Sequence, residues 1–235
     1  MNNRKENLHI FADREKLAEA LAENISLLLQ NAVNTKKNAV LVVSGGSTPK
    51  PLFVRLAQKE IPWNFITITL ADERWVDPEH PDSNENLVRS YLLQDRAKSA
   101  NFMALKNDML TASAGEKKTD RRLAGLPSPF DVVVLGMGKD GHTASLFPDA
   151  PQLYQALDPE NTAKCLAVDP PNTAHQRITM TLSALLAAER IFLHITGEEK
   201  MNVLHKALNG GPVKKMPIRS ILLQKRTPVQ IFWAP

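Results

Sequence analysis

Seven short runs rich in β-branched and apolar residues punctuate this chain: 39–43, 65–70, 130–135, 165–168, 177–182, 190–195 and 229–233. The first, Ala39-Val40-Leu41-Val42-Val43, has no polar face. That suits a central parallel strand covered on both sides better than a half-exposed edge. Helical patterns lie between the runs. From Asp13 to about Gln30, Leu17, Leu21, Ile25, Leu28 and Ala32 recur at three- and four-residue spacing behind Asp13, a capping residue type. Residues 49–59, 84–93, 183–189 and 198–208 carry similar patterns. The alternation predicts parallel βαβ units: an α/β fold with an open, mostly parallel, doubly wound sheet flanked by helices. No internal repeat or low-complexity linker divides the chain, so residues 1–235 read as one domain. The charge-rich stretch 107–129, ending in Pro127-Ser128-Pro129, reads as a long connection whose start is open to a helix.

Composition narrows the function classes. With 43% apolar and 23% charged residues among 235, the chain is an ordinary globular sequence rather than a disordered or fibrous one. Lys and Arg number 29 against 25 Asp and Glu, a net charge of +4. The basic pairs 36–37, 117–118, 121–122, 214–215 and 225–226 are scattered, so no nucleic-acid stripe is expected and an anionic small molecule fits better. The single cysteine, Cys165, excludes an internal disulfide and reads as a buried strand thiol. No run reaches the roughly 18 apolar residues of a membrane span, and the opening residues lack the apolar core of a signal peptide. The expectation is a cytoplasmic protein without a membrane partner.

In doubly wound sheets ligands bind beyond the carboxyl ends of the strands, and three unusual segments fall there. Ser44-Gly45-Gly46-Ser47-Thr48-Pro49 follows the first run. Its glycines permit a tight turn, Thr48 can cap a helix opening at Pro49, and free N–H groups with three hydroxyls make an anion site. A ligand-free turn is the alternative. It is neither a P-loop, lacking Gly-Lys-Ser/Thr, nor a dinucleotide fingerprint. Asp72-Glu73-Arg74-Trp75-Val76 follows the second run. Three charges at a strand end need partners if buried; otherwise Arg74 sits in a solvated loop beside a carboxylate. Ser83 or Asp82 can cap the next helix.

The third segment runs from Gly136 to Pro148 and holds Gly136, Gly138, Asp140, Gly141 and His142. A carboxylate beside an imidazole orients the ring and raises its basicity, as a general base requires. The same pair could ligate a metal, but a third ligand and the familiar His motifs are missing. The remaining histidines, 9, 80, 175, 194 and 205, read as surface residues, or buried and hydrogen-bonded for His194 in mid-strand. Ser145, placed in the first turn of a following helix, lacks the nucleophile-elbow setting. Arg177 and Lys200, each next to a β-like run, can reach the same sheet end as the Ser44–Thr48 loop and with it form a phosphate clamp.

The three segments, in this order and spacing, resemble the 6-phosphogluconolactonase family, whose superfamily includes glucosamine-6-phosphate deaminase/isomerase. The likeness runs from about residue 8 to residue 233. It implies a Rossmann-like sheet of the sugar-phosphate-isomerase type. It also implies hydrolysis of 6-phospho-D-glucono-1,5-lactone to 6-phospho-D-gluconate in the oxidative pentose phosphate pathway, with no metal and no cofactor. The partner is then a small phosphosugar lactone, and the chain is expected to be a monomer. By the same resemblance, His142 and Asp140 correspond to the catalytic pair. Ser44, Gly45, Gly46, Ser47, Thr48, Arg177 and Lys200 correspond to phosphate-binding positions. Arg74 belongs to a segment characteristic of the lactonase branch and joins the catalytic set, touching lactone or phosphate. The deaminase branch has a catalytic Glu five residues after its His. Phe147 stands there instead, and a phenyl ring cannot relay protons. Sugar-phosphate-sensing modules of transcription regulators share the fold but carry a helix-turn-helix ahead of it, and only about a dozen residues precede the first helix here.

Overall fold

The computed structural model describes residues 7–171 and 173–235; residues 1–6, read above for a leader, lie outside them. Along the chain the elements are β1 (Leu8–Ile10), α1 (Arg14–Lys36), β2 (Ala39–Val43), α2 (Lys50–Ala57), β3 (Ile66–Leu70), β4 (Asp72–Arg74), α3 (Asn84–Tyr91), β5 (Asn101–Met103) and α4 (Ala112–Ala124). There follow β6 (Val132–Leu135), α5 (Leu153–Ala156), β7 (Cys165–Val168), β8 (Arg177–Met180), α6 (Leu182–Leu186), β9 (Ile191–Thr196), α7 (Glu198–Leu208), α8 (Arg219–Leu222) and β10 (Val229–Ala234).

Seven strands form one sheet in the order β1-β10-β9-β6-β2-β3-β5, with every neighbour parallel. All five residues of β2 are buried, as a run with no polar face demands at the centre of such a sheet. From β2 the chain steps outward through β3 to β5, then returns to β6 on the opposite flank of β2. The strand order therefore reverses between β2 and β6, and the loops leaving their carboxyl ends share one crevice.

Helix α1 starts where expected, with Asp13 Oδ1 accepting the Lys16 N–H at 2.7 Å. It runs past Gln30 to Lys36 and stops at Lys37, whose φ is 65°. Leu17, Leu21, Ile25 and Leu29 are fully buried, Leu29 rather than Leu28 completing the stripe. Each contributes about 1.5–3 kcal/mol of burial.

The structure corrects two expectations. The runs 165–168 and 177–182 are strands, β7 and β8, but both leave the main sheet. They pair antiparallel with each other, and β4 completes a three-stranded sheet. Apolarity reports burial and not the partner strand, so the sequence alone could not separate the two sheets. Strand β8 also ends at Met180, because Thr181 caps α6 by accepting the Ala184 N–H at 3.2 Å. The second correction concerns 107–129, which holds the 13-residue helix α4 in its middle. Only Ala112, Gly115, Thr119 and Leu123 of that helix are buried, a narrow stripe of mostly small residues among charges that hides the period. Its Asp120 and Glu116 carboxylates accept the backbone N–H groups of Lys164 and Ala167 beside and on β7.

Candidate active site

The loop after β2 begins at Ser44, whose N–H donates to Val134 O at 3.0 Å and ties the loop to β6. Gly45 is required by close approach: a Cβ there would stand 1.8 Å from Asn84 Oδ1. Gly46 takes φ +99°, open only to glycine at low cost. Helix α2 begins at Lys50, and its cap residue is Pro49 with no side-chain hydrogen bond. This corrects the expected cap at Thr48. In the first turn the Lys50 N–H donates to Ser47 O at 3.4 Å and Pro51 has no N–H, so this helix start offers an anion fewer donors than the sequence suggested.

The charged segment after β3 becomes strand β4. Asp72 and Glu73 are buried, so the solvated-loop alternative fails for them. Asp72 Oδ2 accepts the Ser145 hydroxyl at 2.5 Å, and Asn84 Nδ2 donates to Asp72 O at 2.8 Å. The Glu73 carboxylate lies at the N-terminus of α3 and accepts the N–H groups of Arg74, Asn84 and Glu85 at 2.7–2.8 Å. Burial pushes Glu73 up to about 7 against those donors. Ser83 is the α3 cap, accepting the Asn86 N–H at 3.1 Å. Among the described residues Arg74 pairs with no carboxylate; its Nη1 donates to the Asp82 carbonyl. Ser145 lies in a turn and not in a helix, held by its bond to Asp72 and by donation of its N–H to Thr179 Oγ1 at 3.2 Å.

After β6 the glycine-rich loop folds onto itself. Gly138 N–H donates to His142 O at 2.8 Å, and Gly141 N–H to Gly138 O at 3.1 Å. Thr143 Oγ1 donates to Gly136 O at 2.8 Å. A Cβ on Gly138 would stand 2.1 Å from His142 Nδ1, so the imidazole rests on bare backbone. His142 Nδ1 is 2.6 Å from Asp140 Oδ1, which also accepts the His142 N–H at 3.1 Å. With the ring proton on Nδ1 facing the carboxylate, Nε2 keeps its lone pair for a reactant. The Phe147 ring packs on the imidazole at 4.1 Å between centroids. Burial pushes the Asp140 carboxyl up, but the hydrogen bond and charge of His142 outweigh it and hold it below the usual range.

These loops enclose a cavity of about 320 Å³. Ser44, Gly45, Gly46, Ser47, Thr48, Arg74, His142, Arg177 and Lys200, all singled out from sequence, line it, with Asp140 bonded behind His142. Arg74 and Arg177 face each other across β4 and β8. Burial lowers the pKa of Arg177, and the charge of Arg74 lowers it further, while nearby carboxylates pull the other way. Burial likewise lowers that of Lys200, which follows the φ +88° turn at Gly197. Among the described residues none of these three cations makes an ion pair. Buried Arg177 Nη1 and Ser44 Oγ have no hydrogen-bond partner among the described residues. Unpaired buried donors carry a desolvation cost that an anionic ligand removes.

Sequence reasoning missed Asp72, Asn84 and His194 as lining residues. Asn84 carried no signal, since its role depends on contact with Gly45 and β4. His194 is buried as expected, but its Nδ1 is unpartnered and burial pushes its pKa down to about 4, leaving a neutral ring.

Residues 12–233 match a family described as glucosamine-6-phosphate isomerases/6-phosphogluconolactonase. A 6-phosphogluconolactonase of Rhizobium meliloti is 44% identical, over 97% of this chain and 99% of its own. One from Pseudomonas putida is 42% identical, over 97% and 93%. The crystal structure of a 6-phosphogluconolactonase from Shewanella baltica superposes with a TM-score of 0.95 at 47% identity, covering 97% of each chain.

Proposed function

Because this chain belongs to the glucosamine-6-phosphate isomerase/6-phosphogluconolactonase family, we propose that its cavity hydrolyses 6-phospho-D-glucono-1,5-lactone to 6-phospho-D-gluconate in the oxidative pentose phosphate pathway, with His142 as general base. The observation that carries the mechanism is the 2.6 Å Asp140–His142 pair beside three unpaired cations in one cavity.

The sugar phosphate sits on the Ser44–Thr48 loop between Arg177 and Lys200, and its binding energy orients the lactone. His142 Nε2 takes a proton from water as the water oxygen bonds to the lactone carbonyl carbon, while Asp140 steadies the imidazolium. Arg74 stabilises the oxyanion; the Gly138 and Gly141 N–H groups are already bonded within their loop. When the tetrahedral intermediate collapses, the bond from that carbon to the ring oxygen breaks. The imidazolium returns its proton to the leaving oxygen, and the new carboxylic acid ionises into solvent. No step needs a metal. Phe147, packed on His142 where the deaminase branch has its Glu, leaves aminosugar deamination without a proton relay. The same reading takes the enzyme as a cytoplasmic monomer that binds no nucleic acid. Among the described residues no helix is long and apolar enough to cross a membrane.

The test is turnover of freshly made phosphogluconolactone, corrected for spontaneous hydrolysis and repeated after exhaustive dialysis against EDTA. Catalysis that persists supports the mechanism. Loss of kcat at saturating lactone on chelation, restored by a divalent ion, overturns its metal-free form. Sustained ammonia release from glucosamine-6-phosphate would move the chain to the other branch.

A further inference from the structure

Outside the cavity, residues from two distant parts of the chain converge. His175 Nε2 lies 3.0 Å from Asp82 Oδ2, and His80 Nδ1 lies 4.0 Å from the same oxygen. The three possible ligand atoms all fall within 4.8 Å of one another, and the two imidazole rings meet edge to face at 5.3 Å. None of the three residues lines the cavity. We propose that His80, Asp82 and His175 form a binding site for one divalent transition-metal ion of the zinc class, which clasps the segment before α3 to the segment leading into β8.

The geometry suits such an ion. Tetrahedral zinc at about 2.0–2.2 Å from nitrogen and oxygen sets its ligand atoms about 3.3 Å apart. The present spacing brackets that value, so side-chain rotations would close the site. Two imidazole nitrogens with one carboxylate oxygen favour zinc, nickel or copper over magnesium or calcium, which take oxygen ligands. His80 Nδ1 accepts the Asp82 N–H at 3.0 Å; capture through that nitrogen exchanges this bond for a coordinate one. Three protein ligands leave a fourth position for water.

The site would act on the two guanidiniums. Arg74 donates to the carbonyl of Asp82, and Arg177 stands two residues after His175. Trp75 N–H donates to Gln176 O at 2.8 Å between the same two segments. An ion here fixes the spacing of β4 and β8, and so bears on substrate affinity, while the proton transfers at His142 lie elsewhere. It is separate from the metal-free chemistry proposed above, and the two can fail independently.

The experiment titrates zinc into tag-free, chelator-stripped protein in phosphate-free buffer, in competition with a chromophoric chelator, with thermal unfolding alongside. Wild type should take up about one zinc per chain and unfold at a higher temperature with zinc in excess. His175→Gln and His80→Gln should each weaken binding roughly tenfold or more, the usual minimum for disturbing a ligand set. His142→Ala, which dismantles the other His–Asp pair, should bind zinc as wild type does. No uptake by wild type, uptake that survives His175→Gln, or uptake lost in His142→Ala would each overturn the assignment.

Discussion

On the β6 side of the cavity the polar groups around His142 bond to one another: Asp140 to the ring and its N–H, Gly138 to His142 O, Gly141 to Gly138 O. On the side built from the β2 loop, β4 and β8, Arg177 Nη1 and Ser44 Oγ are buried without partners, and Arg74 faces Arg177. The first wall is complete before substrate arrives. The second leaves polar groups unpaired, as the proposed phosphate site requires. A base that must act in the transition state benefits from fixed geometry, whereas a grip on an unreacting phosphate is finished by the ligand itself.

The largest effect should follow from removing the proposed base. His142→Ala should keep the fold and lower kcat by roughly 10²–10⁴, with KM little changed; steady-state kinetics on fresh lactone measure it. Disturbing the support beneath the base comes next. Gly138→Ala places a Cβ where the imidazole rests, and a displacement of about 1 Å should cost roughly 10²-fold in kcat. A variant with wild-type kcat would show that the loop is less rigid than its internal bonds imply.

On the other wall the loss should appear in affinity. Arg177→Ala removes the proposed charge-assisted contact to phosphate, worth about 1.5–3 kcal/mol, so kcat/KM should fall roughly ten- to over a hundredfold, mainly through KM. Unphosphorylated gluconolactone should be turned over almost as by wild type. Equal losses on both lactones in a folded variant would take Arg177 off the phosphate.

The smallest effect concerns stability beside both walls. Glu73 titrates at about 7 in the folded chain against 4.5 as its ordinary value. The folded state therefore binds the proton more tightly, and this stabilisation is full below pH 4.5 and lost as the pH rises through 7. The unfolding free energy of wild type relative to Glu73→Gln should shrink over that range by on the order of 1–3 kcal/mol. Urea titrations at several pH values read it, and a pH-independent difference would mean that the N–H donors on Glu73 outweigh its burial.

What the sequence made legible follows from these physical differences. Strands β2 and β6 announce themselves because central parallel strands are apolar on both faces, and β3, β9 and β10 because they are rich in β-branched and aromatic residues. The glycine-rich segments stand out because close backbone approach leaves a compositional trace, as at Gly45 and Gly138. Strand β4 does not, since its charges are satisfied only by tertiary partners: the α3 N-terminus for Glu73 and Ser145 for Asp72. The second sheet and the His80–Asp82–His175 cluster depend on which segments meet in space, and no local pattern carries that. His80 and His175 read as ordinary surface histidines until the fold brings Asp82 between them.

The difference between the two walls is tested most directly by calorimetric binding of 6-phosphogluconate, the stable product, to His142→Ala and Arg177→Ala side by side. The complete wall should be dispensable for binding, so His142→Ala should hold the product nearly as wild type does. The incomplete wall should not be, and Arg177→Ala should bind it roughly tenfold or more weakly. The reverse pattern, with affinity lost in His142→Ala and kept in Arg177→Ala, would contradict the assignment of base and phosphate grip to these two sides of the cavity.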